Sequence, residues 1–424
     1  MRLSSKIVFD HTLGRVLCYG LFPVIRGLGF LLRRDHTIRE SNVRCIVVAK
    51  YYGMGSIIHA TPMLRALKER FPQARLVFVT RKNNRELFAH FPVIDEVLLV
   101  NDDSLLPFIF SNIRLLGTLM RRHVDLFFDL ELFSAYGALV SLFSLTRNRF
   151  GFLCGLETDF KTFLYTHLMY FNFQMPIRVC YLQLARVAGV AADASSDLVK
   201  PAIPAPLRAA MQEKLDRILR QGETGKGLLA VNINASDLML ERRWPLERFE
   251  EVTRHFARKG YPILFVGSSD ERGYVQGLVD RLQDMSDWTY NACGSFTLSE
   301  FFVLLEACDA LLTGDTGIMN FAYALHVPTV SLWGPCSPIQ YHVESESTRA
   351  IWKPVYCSPC VHRFLTPPCR GNNVCMALIE AGEVIAAVED VLAKHKQKQR
   401  DDLHPVHSDD SGVPLGLLRD RKKN

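Results

Sequence analysis

Apolar positions in the first half of the chain fall in short unbroken runs, not in alternation. Cys45-Ile-Val-Val-Ala49, Leu76-Val-Phe-Val79, Val97-Leu-Leu-Val100 and Asp125-Leu-Phe-Phe-Asp-Leu130 read as strands. Runs that are apolar on both sides mark a parallel sheet covered on both faces. A helix from Gly55 to Arg70 follows the first run, and Phe71-Pro72 stops it. Pro201-Ala-Ile-Pro-Ala-Pro206 breaks the rhythm and reads as a linker. The pattern then restarts with Leu228-Leu-Ala-Val-Asn-Ile233, a helix over roughly 246–259, a strand at Ile263-Leu-Phe-Val-Gly267, a helix near 271–283, and an apolar segment from Leu298 to Cys308. Two doubly wound, Rossmann-like α/β domains facing across a cleft are predicted, over 42–200 and 207–393. Residues 1–41 precede them, and a polar tail over 394–424 is expected to be disordered.

The most informative turn lies in the second half. An apolar run ends at Gly314, a helix opens on Asp315-Thr316-Gly317, Pro328 stops it, and Thr329-Val-Ser-Leu-Trp-Gly334 reads as the next strand. A helix that opens on such residues leaves backbone N–H groups and a positive dipole end facing outward, which suits a phosphate. The alternative is that Asp315 or Thr316 only caps a packing helix. No GxGxxG follows the first strand, because Gly53-Met-Gly55 has no third glycine at the required spacing, so an NAD-dependent enzyme is not expected.

Three segments in order carry a resemblance: Ile46–Pro72, with Gly53-Met-Gly-Ser56 at its centre; Arg242-Arg-Trp-Pro-Leu-Glu-Arg-Phe249; and Thr313–Pro335. Together they resemble glycosyltransferase family 9, the ADP-heptose:lipopolysaccharide heptosyltransferase family, over roughly 44–390. The resemblance implies the GT-B architecture and an inverting, metal-independent transfer of a sugar from an ADP-heptose-like donor to a lipid-linked oligosaccharide. It implies no required cofactor and no nucleic-acid partner. Arg242 matches the basic position that contacts the donor phosphates, and the polar loop with Asn234 and Ser236 points the same way. Thr316 and Gly317 would supply a hydroxyl and backbone donors. Asp315 would repel a phosphate, so it is expected to pair with Arg242 or to bind donor-sugar hydroxyls.

Two positions depart from the family. Heptosyltransferases have Gly-Asp where this chain has Gly55-Ser56, and a histidine where it has Asn320. A neutral serine is no general base unaided and reads as the N-cap of the following helix. Asp129 and Glu131, two apart, are expected on one face at the end of their strand, beside the Gly53–Ser56 loop. Glu131 is the preferred base, with Asp129 and His59 as further candidates. The alternative for Glu131 is that it only binds acceptor hydroxyls or caps the loop. Asn320 keeps hydrogen bonding without charge, so the donor need not be ADP-heptose. A catalytically lapsed nucleotide-sugar-binding protein is the rival reading, and a UDP-GlcNAc 2-epimerase-like isomerase fits the motifs less well.

Composition adds two points. With 48% hydrophobic and 22% charged residues, 424 residues bury full cores, and the net charge is a modest +6. Residues 1–41 concentrate seven Lys/Arg against three acids around an apolar stretch from Leu13 to Leu32. Arg15, Arg26, four glycines and Pro23 interrupt that stretch, so a basic amphipathic element on an anionic membrane surface is expected rather than a span. A cytoplasmic enzyme peripheral at the inner face of the membrane follows, with a helical arm packed on the protein itself as the alternative. Seven of the 11 cysteines are scattered through apolar segments. Cys357, Cys360, Cys369 and Cys375 cluster, and could be a structural zinc site, disulfides or free thiols.

Overall fold

The computed structural model describes residues 10–32, 35–219, 226–235, 239–361 and 367–403. The first half holds β1 (Cys45–Ala49), β2 (Arg75–Arg81), β3 (Glu96–Val100), β4 (Leu126–Asp129), β5 (Asn148–Leu153) and β6 (His167–Tyr170). They form one sheet in the order β3-β2-β1-β4-β5-β6, with every pairing parallel. Its helices are α1 (Arg15–Leu32), α2 (Met54–Arg70), α3 (Leu105–Arg122), α4 (Ala135–Phe143) and α5 (Ile177–Arg186).

The second half repeats the design with β7 (Leu229–Asn232), β8 (Ile263–Phe265), β9 (Thr289–Asn291), β10 (Ala310–Gly314), β11 (Thr329–Trp333) and β12 (Thr348–Trp352). Their order is β12-β11-β10-β7-β8-β9, again all parallel. The helices are α6 (Ala205–Ile218), α7 (Leu246–Arg258), α8 (Arg272–Val279), α9 (Leu298–Ala307), α10 (Gly317–Ala324), α11 (Pro338–Tyr341), α12 (Val374–Ala377) and α13 (Ala381–Leu403). Two parallel six-stranded sheets with helices around them match the expected GT-B architecture. Every residue of β1, β10 and β11 is buried, as unbroken apolar runs require.

In each half the strand order reverses between the two central strands, β1 and β4 in one and β7 and β10 in the other. Ligands of open α/β sheets bind at the carboxyl ends flanking that point. Those ends carry Lys50–Ser56 and Glu131 in the first half, and Asn232–Asn234 and Asp315–Gly317 in the second. The halves touch directly: one core cluster contains Ile57, Ile58 and Met63 of α2 together with Met319 and Phe321 of α10. A Cβ on Gly55 would stand 2.3 Å from Asn320 Nδ2, so only glycine permits this approach of α2 to α10. His90 Nε2 lies 2.8 Å from Ser299 Oγ, and Ser299 N donates to Glu86 Oε1 at 3.2 Å, closing a second contact.

Two expectations are corrected. The final helix continues to Leu403, past the start of the expected tail, with Lys396 Nζ donating to Tyr261 Oη at 2.9 Å. Lys, Gln and Arg are good helix formers, so polarity alone does not end a helix that is already nucleated. Residues 404–424 lie outside the described residues. Neither Pro23 nor the glycines break α1: it is a continuous 18-residue helix, and the stretch Thr12–Leu31 is long and apolar enough to cross a membrane. It is not amphipathic in the expected sense. Gly14, Cys18, Leu21 and Ile25 face the protein, while Val16, Tyr19, Val24, Leu28, Phe30 and Leu31 are all exposed.

Candidate active site

At the end of β10, Arg242 reaches across to Asp315. Its Nη1 donates to the Asp315 carbonyl at 3.0 Å and lies 3.4 Å from the buried carboxylate. The expected pairing of Asp315 with Arg242 is therefore present. The Cys336 thiol faces Asp315 as well, and burial raises its pKa well above the ordinary value. Thr316 stands at the N-cap position of α10, yet its side chain makes no capping bond; Oγ1 instead lies 3.2 Å from Thr313 Oγ1. Among the described residues nothing caps the first amides of α10. Gly317 is exposed, with nothing within 4 Å of where a Cβ would stand. Open amides, a hydroxyl and a guanidinium at one strand end suit a diphosphate.

Asn234 is committed within its own loop. Its Nδ2 donates to Glu271 Oε1 at 2.7 Å, and its Oδ1 accepts from Arg243 Nε at 2.6 Å. Arg243 in turn stacks 4.0 Å over the Tyr274 ring. Ser236 lies outside the described residues.

The facing half presents the N-terminal turn of α2. Gly53, at φ +80°, is the N-cap, so Ser56 is the third helical residue and not the cap expected from sequence. Its hydroxyl faces the phenols of Tyr181 and Tyr341. His59 follows on the same helix face. Its Nε2 lies 2.7 Å from Asn320 Oδ1, and its ring meets Tyr341 edge-on at 5.5 Å between centroids. Burial lowers its pKa to about 4; the Asn320 hydrogen bond opposes this and Arg178 adds to it. His59 is therefore a neutral, buried residue that joins the two halves.

The carboxylates differ from expectation. β4 ends at Asp129, so Glu131 lies beyond the strand and strand alternation does not govern its direction. Glu131 Oε1 accepts from the amides of Tyr51 and Tyr52 at 2.7 and 2.9 Å, and Oε2 accepts from Lys50 Nζ at 2.9 Å. That is the loop-capping alternative, with both oxygens engaged. Asp129 is buried behind it, accepting from Tyr165 Oη at 2.6 Å and from Glu131 N at 3.0 Å. Burial pushes the Asp129 carboxyl up to about 6, against the pull of Lys161 and Tyr165. Lys161, fully buried, donates to the carbonyls of Glu131 and Ser134 at 2.7 and 3.2 Å, and burial lowers its pKa. The charged cluster lies beneath the site and fixes its floor.

Sequence reasoning missed Arg178, Tyr181 and Tyr341. Arg178, at the start of α5, donates from Nη1 to the His342 carbonyl at 3.3 Å, across to the other half. It makes no ion pair among the described residues, and burial lowers its pKa. No local motif marks these residues; their places depend on how the halves meet. The cysteine cluster is one of free thiols: Cys360 and Cys375 are buried, while Cys357 and Cys369 are partly exposed. No group of three or more ligand residues is placed to hold a metal among the described residues, so the zinc alternative is not assembled. Burial raises the Cys360 thiol to about 11, helped by the other three.

Known proteins share the family and the fold. The family model for glycosyltransferase family 9 (heptosyltransferase) matches residues 132–367. The chain is similar to lipopolysaccharide heptosyltransferase 2 of Salmonella typhimurium, 32% identical over 98 residues, which is 23% of this chain and 28% of that protein. The aligned stretch thus spans less than a third of the curated relative. Among solved structures, a family 9 glycosyltransferase from Veillonella parvula superposes with a TM-score of 0.68 at 23% identity, covering 85% of this chain and all of that one. The ADP-heptose lipopolysaccharide heptosyltransferase II of E. coli follows with a TM-score of 0.67 at 19% identity, covering 84% and 100%. At these identities the superpositions establish the fold.

Proposed function

Because the chain belongs to glycosyltransferase family 9, we propose that it moves a sugar, heptose or a close relative, from a nucleoside-diphosphate donor to a lipopolysaccharide core or similar surface glycan, with inversion. The observation that carries this reading is the Arg242–Asp315–Thr316 constellation at the second switch point, facing Ser56 and His59 across the cleft. In the transfer, positive charge develops on the sugar ring and negative charge on the departing diphosphate. Arg242, the Thr316 hydroxyl and the open amides of α10 supply fixed positive potential for that diphosphate. The chain has no Asp-x-Asp metal motif, so these groups serve in place of a metal ion held that way. Asp315 holds Arg242 in place and is set to accept donor-sugar hydroxyls.

The apolar surface of α1 supports a cytoplasmic enzyme held at the inner face of a membrane, where a lipid-linked acceptor is presented. Leu105, Leu106, Phe110 and Ile113 on α3 add a second exposed apolar face on the same half. One observation favours the lapsed, binding-only alternative: Ser56 stands where the family has its aspartate, and both oxygens of Glu131 are engaged. One experiment decides between the two. Pure protein is incubated with a panel of nucleotide sugars and lipid-A core acceptors. Release of nucleoside diphosphate only when acceptor is present selects the transferase; donor binding without turnover selects the lapsed enzyme.

A further inference from the structure

With transfer as the premise, the site still lacks a base, and three of the four candidates are unsuited on geometry. Ser56 carries no basic atom, Glu131 is held by two amides and Lys50, and Asp129 lies buried behind Tyr165. His59 differs. Asn320 Nδ2 donates to the Thr316 carbonyl at 3.0 Å, which fixes the orientation of that amide. Its Oδ1 must then be the group facing His59 Nε2 at 2.7 Å, so Nε2 carries the proton. Nδ1 is left with its lone pair, and it is buried without a hydrogen-bond partner among the described residues. The Tyr181 hydroxyl is buried beside the Ser56 hydroxyl, one helical turn from His59. Native proteins seldom leave such a ring nitrogen as Nδ1 unmatched, and it marks a place for a polar ligand.

We propose that His59 is the catalytic base, its Nδ1 taking the proton of the acceptor hydroxyl, and that Asn320 is a positioning residue that sets the tautomer making Nδ1 available. The two departures from the family then belong together. Ser56 removes the carboxylate, and Asn320, against Gly55 and bonded to His59, supplies a fixed acceptor that a histidine at that position would not.

The step balances. A lone pair of the acceptor oxygen forms the bond to the anomeric carbon, and the bond from that carbon to the diphosphate oxygen breaks with its electrons going to the diphosphate. The acceptor proton passes to Nδ1, and the imidazolium releases it to solvent when the halves part. Burial keeps His59 neutral and ready to accept. The groups around it are Asn320 on α10, Tyr341 on α11 and Arg178 on α5, with Ser56 on its own helix. Arg178 disfavours the imidazolium, whereas the anionic diphosphate of a bound donor favours it. Proton transfer late in bond formation suits a weak base, because the attacking oxygen becomes acidic only as its new bond forms. Since His59 is fully buried where α2 meets α10, the proposal requires that these helices separate for the acceptor to reach Nδ1.

The test has two arms on the full-length protein. In the first, ¹⁵N-labelled imidazole resonances are recorded, with His59 assigned by its loss in His59→Gln. A protonated Nε2 and a bare Nδ1 at neutral pH are expected, with mixed tautomers in Asn320→Ala. A protonated Nδ1 overturns the proposal, and this arm does not depend on any variant being active. In the second, wild type and His59→Gln are compared with the donor and acceptor that the panel identifies. Turnover should fall about 10²–10⁴-fold with nucleoside-diphosphate affinity within about twofold. Ser56→Asp in the His59→Gln background should recover part of the rate. A wild type that never turns over defeats the transferase reading itself, whereas active wild type with unimpaired His59→Gln defeats this inference alone.

Discussion

Arg242 and Asp315 hold each other, and under the proposed function a donor diphosphate would take Arg242 as its partner, an exchange of measurable size. Arg242→Ala should weaken nucleoside-diphosphate binding by about 1.5–3 kcal/mol, the worth of a hydrogen bond to a charged group. Calorimetry showing unchanged affinity would remove Arg242 from the site. Thr316→Ala should lose less, because the amides of α10 remain. Glu131 calls for a different test, because Glu131→Gln strips the charge opposite a buried Lys50. Breaking one partner of a buried pair costs about 3–5 kcal/mol, so urea unfolding at pH 7 should shift by that order without any ligand. Normal stability with lost turnover would instead return Glu131 to the role of base. His59 adds a pH dependence. Its folded pKa, about 4, lies below the unfolded value of about 6.5. The unfolded chain therefore binds the proton first on acidification, and stability is lost as pH falls from about 6.5 toward 4. The linkage is about 2 kcal/mol at pH 5. The loss of unfolding free energy between pH 7 and pH 5 should be smaller by that amount in His59→Gln, and equal losses would show that His59 is not buried neutral.

Among the elements, α1 and α10 put opposite faces of helix physics to use. α10 offers its open N-terminus, and its packing face only sets where that end points. α1 offers an apolar exterior with a narrow stripe docked near Ala135, Phe160 and Leu164. Removing residues 1–32 should leave a folded protein that no longer sediments with phosphatidylglycerol vesicles at low salt. It should also be modestly less stable, since those three side chains become exposed. Full-length protein that ignores the vesicles would discard the membrane reading, and an unfolded truncation would make α1 part of the core.

For the whole molecule, the decisive feature is how closely the two sheets' helices meet. Gly55→Ala would put a Cβ 2.3 Å from Asn320 Nδ2, so α2 and α10 must move apart. Overpacking of this kind costs about 1–3 kcal/mol. Turnover should fall with it while nucleoside-diphosphate affinity changes little, because Arg242, Thr316 and Gly317 all sit in the second half. Thermal unfolding, calorimetry and the product-release assay on one preparation check all three. A variant that turns over normally would show that closure at Gly55 plays no part.

The apolar runs determined the two parallel sheets, since a segment buried on both faces must be apolar throughout, and that is a local property. The turn Asp315-Thr316-Gly317 was legible for a related reason, since strand ends and helix starts have local signatures, whereas Arg242 was named from the family resemblance and the structure pairs it with Asp315. The strand end at Asp129 could not be read that way, and a difference of two residues took Glu131 from the expected strand face into a lysine-held loop cap. Arg178, Tyr181, Tyr341 and the His59–Asn320 bond were beyond any local reading. Each joins positions far apart in sequence, across the seam between the halves or within the first half, and His59 and Asn320 are separated by 261 residues. Their roles depend on desolvation and on which partner is within hydrogen-bond reach, and the packing of α2 against α10 decides both.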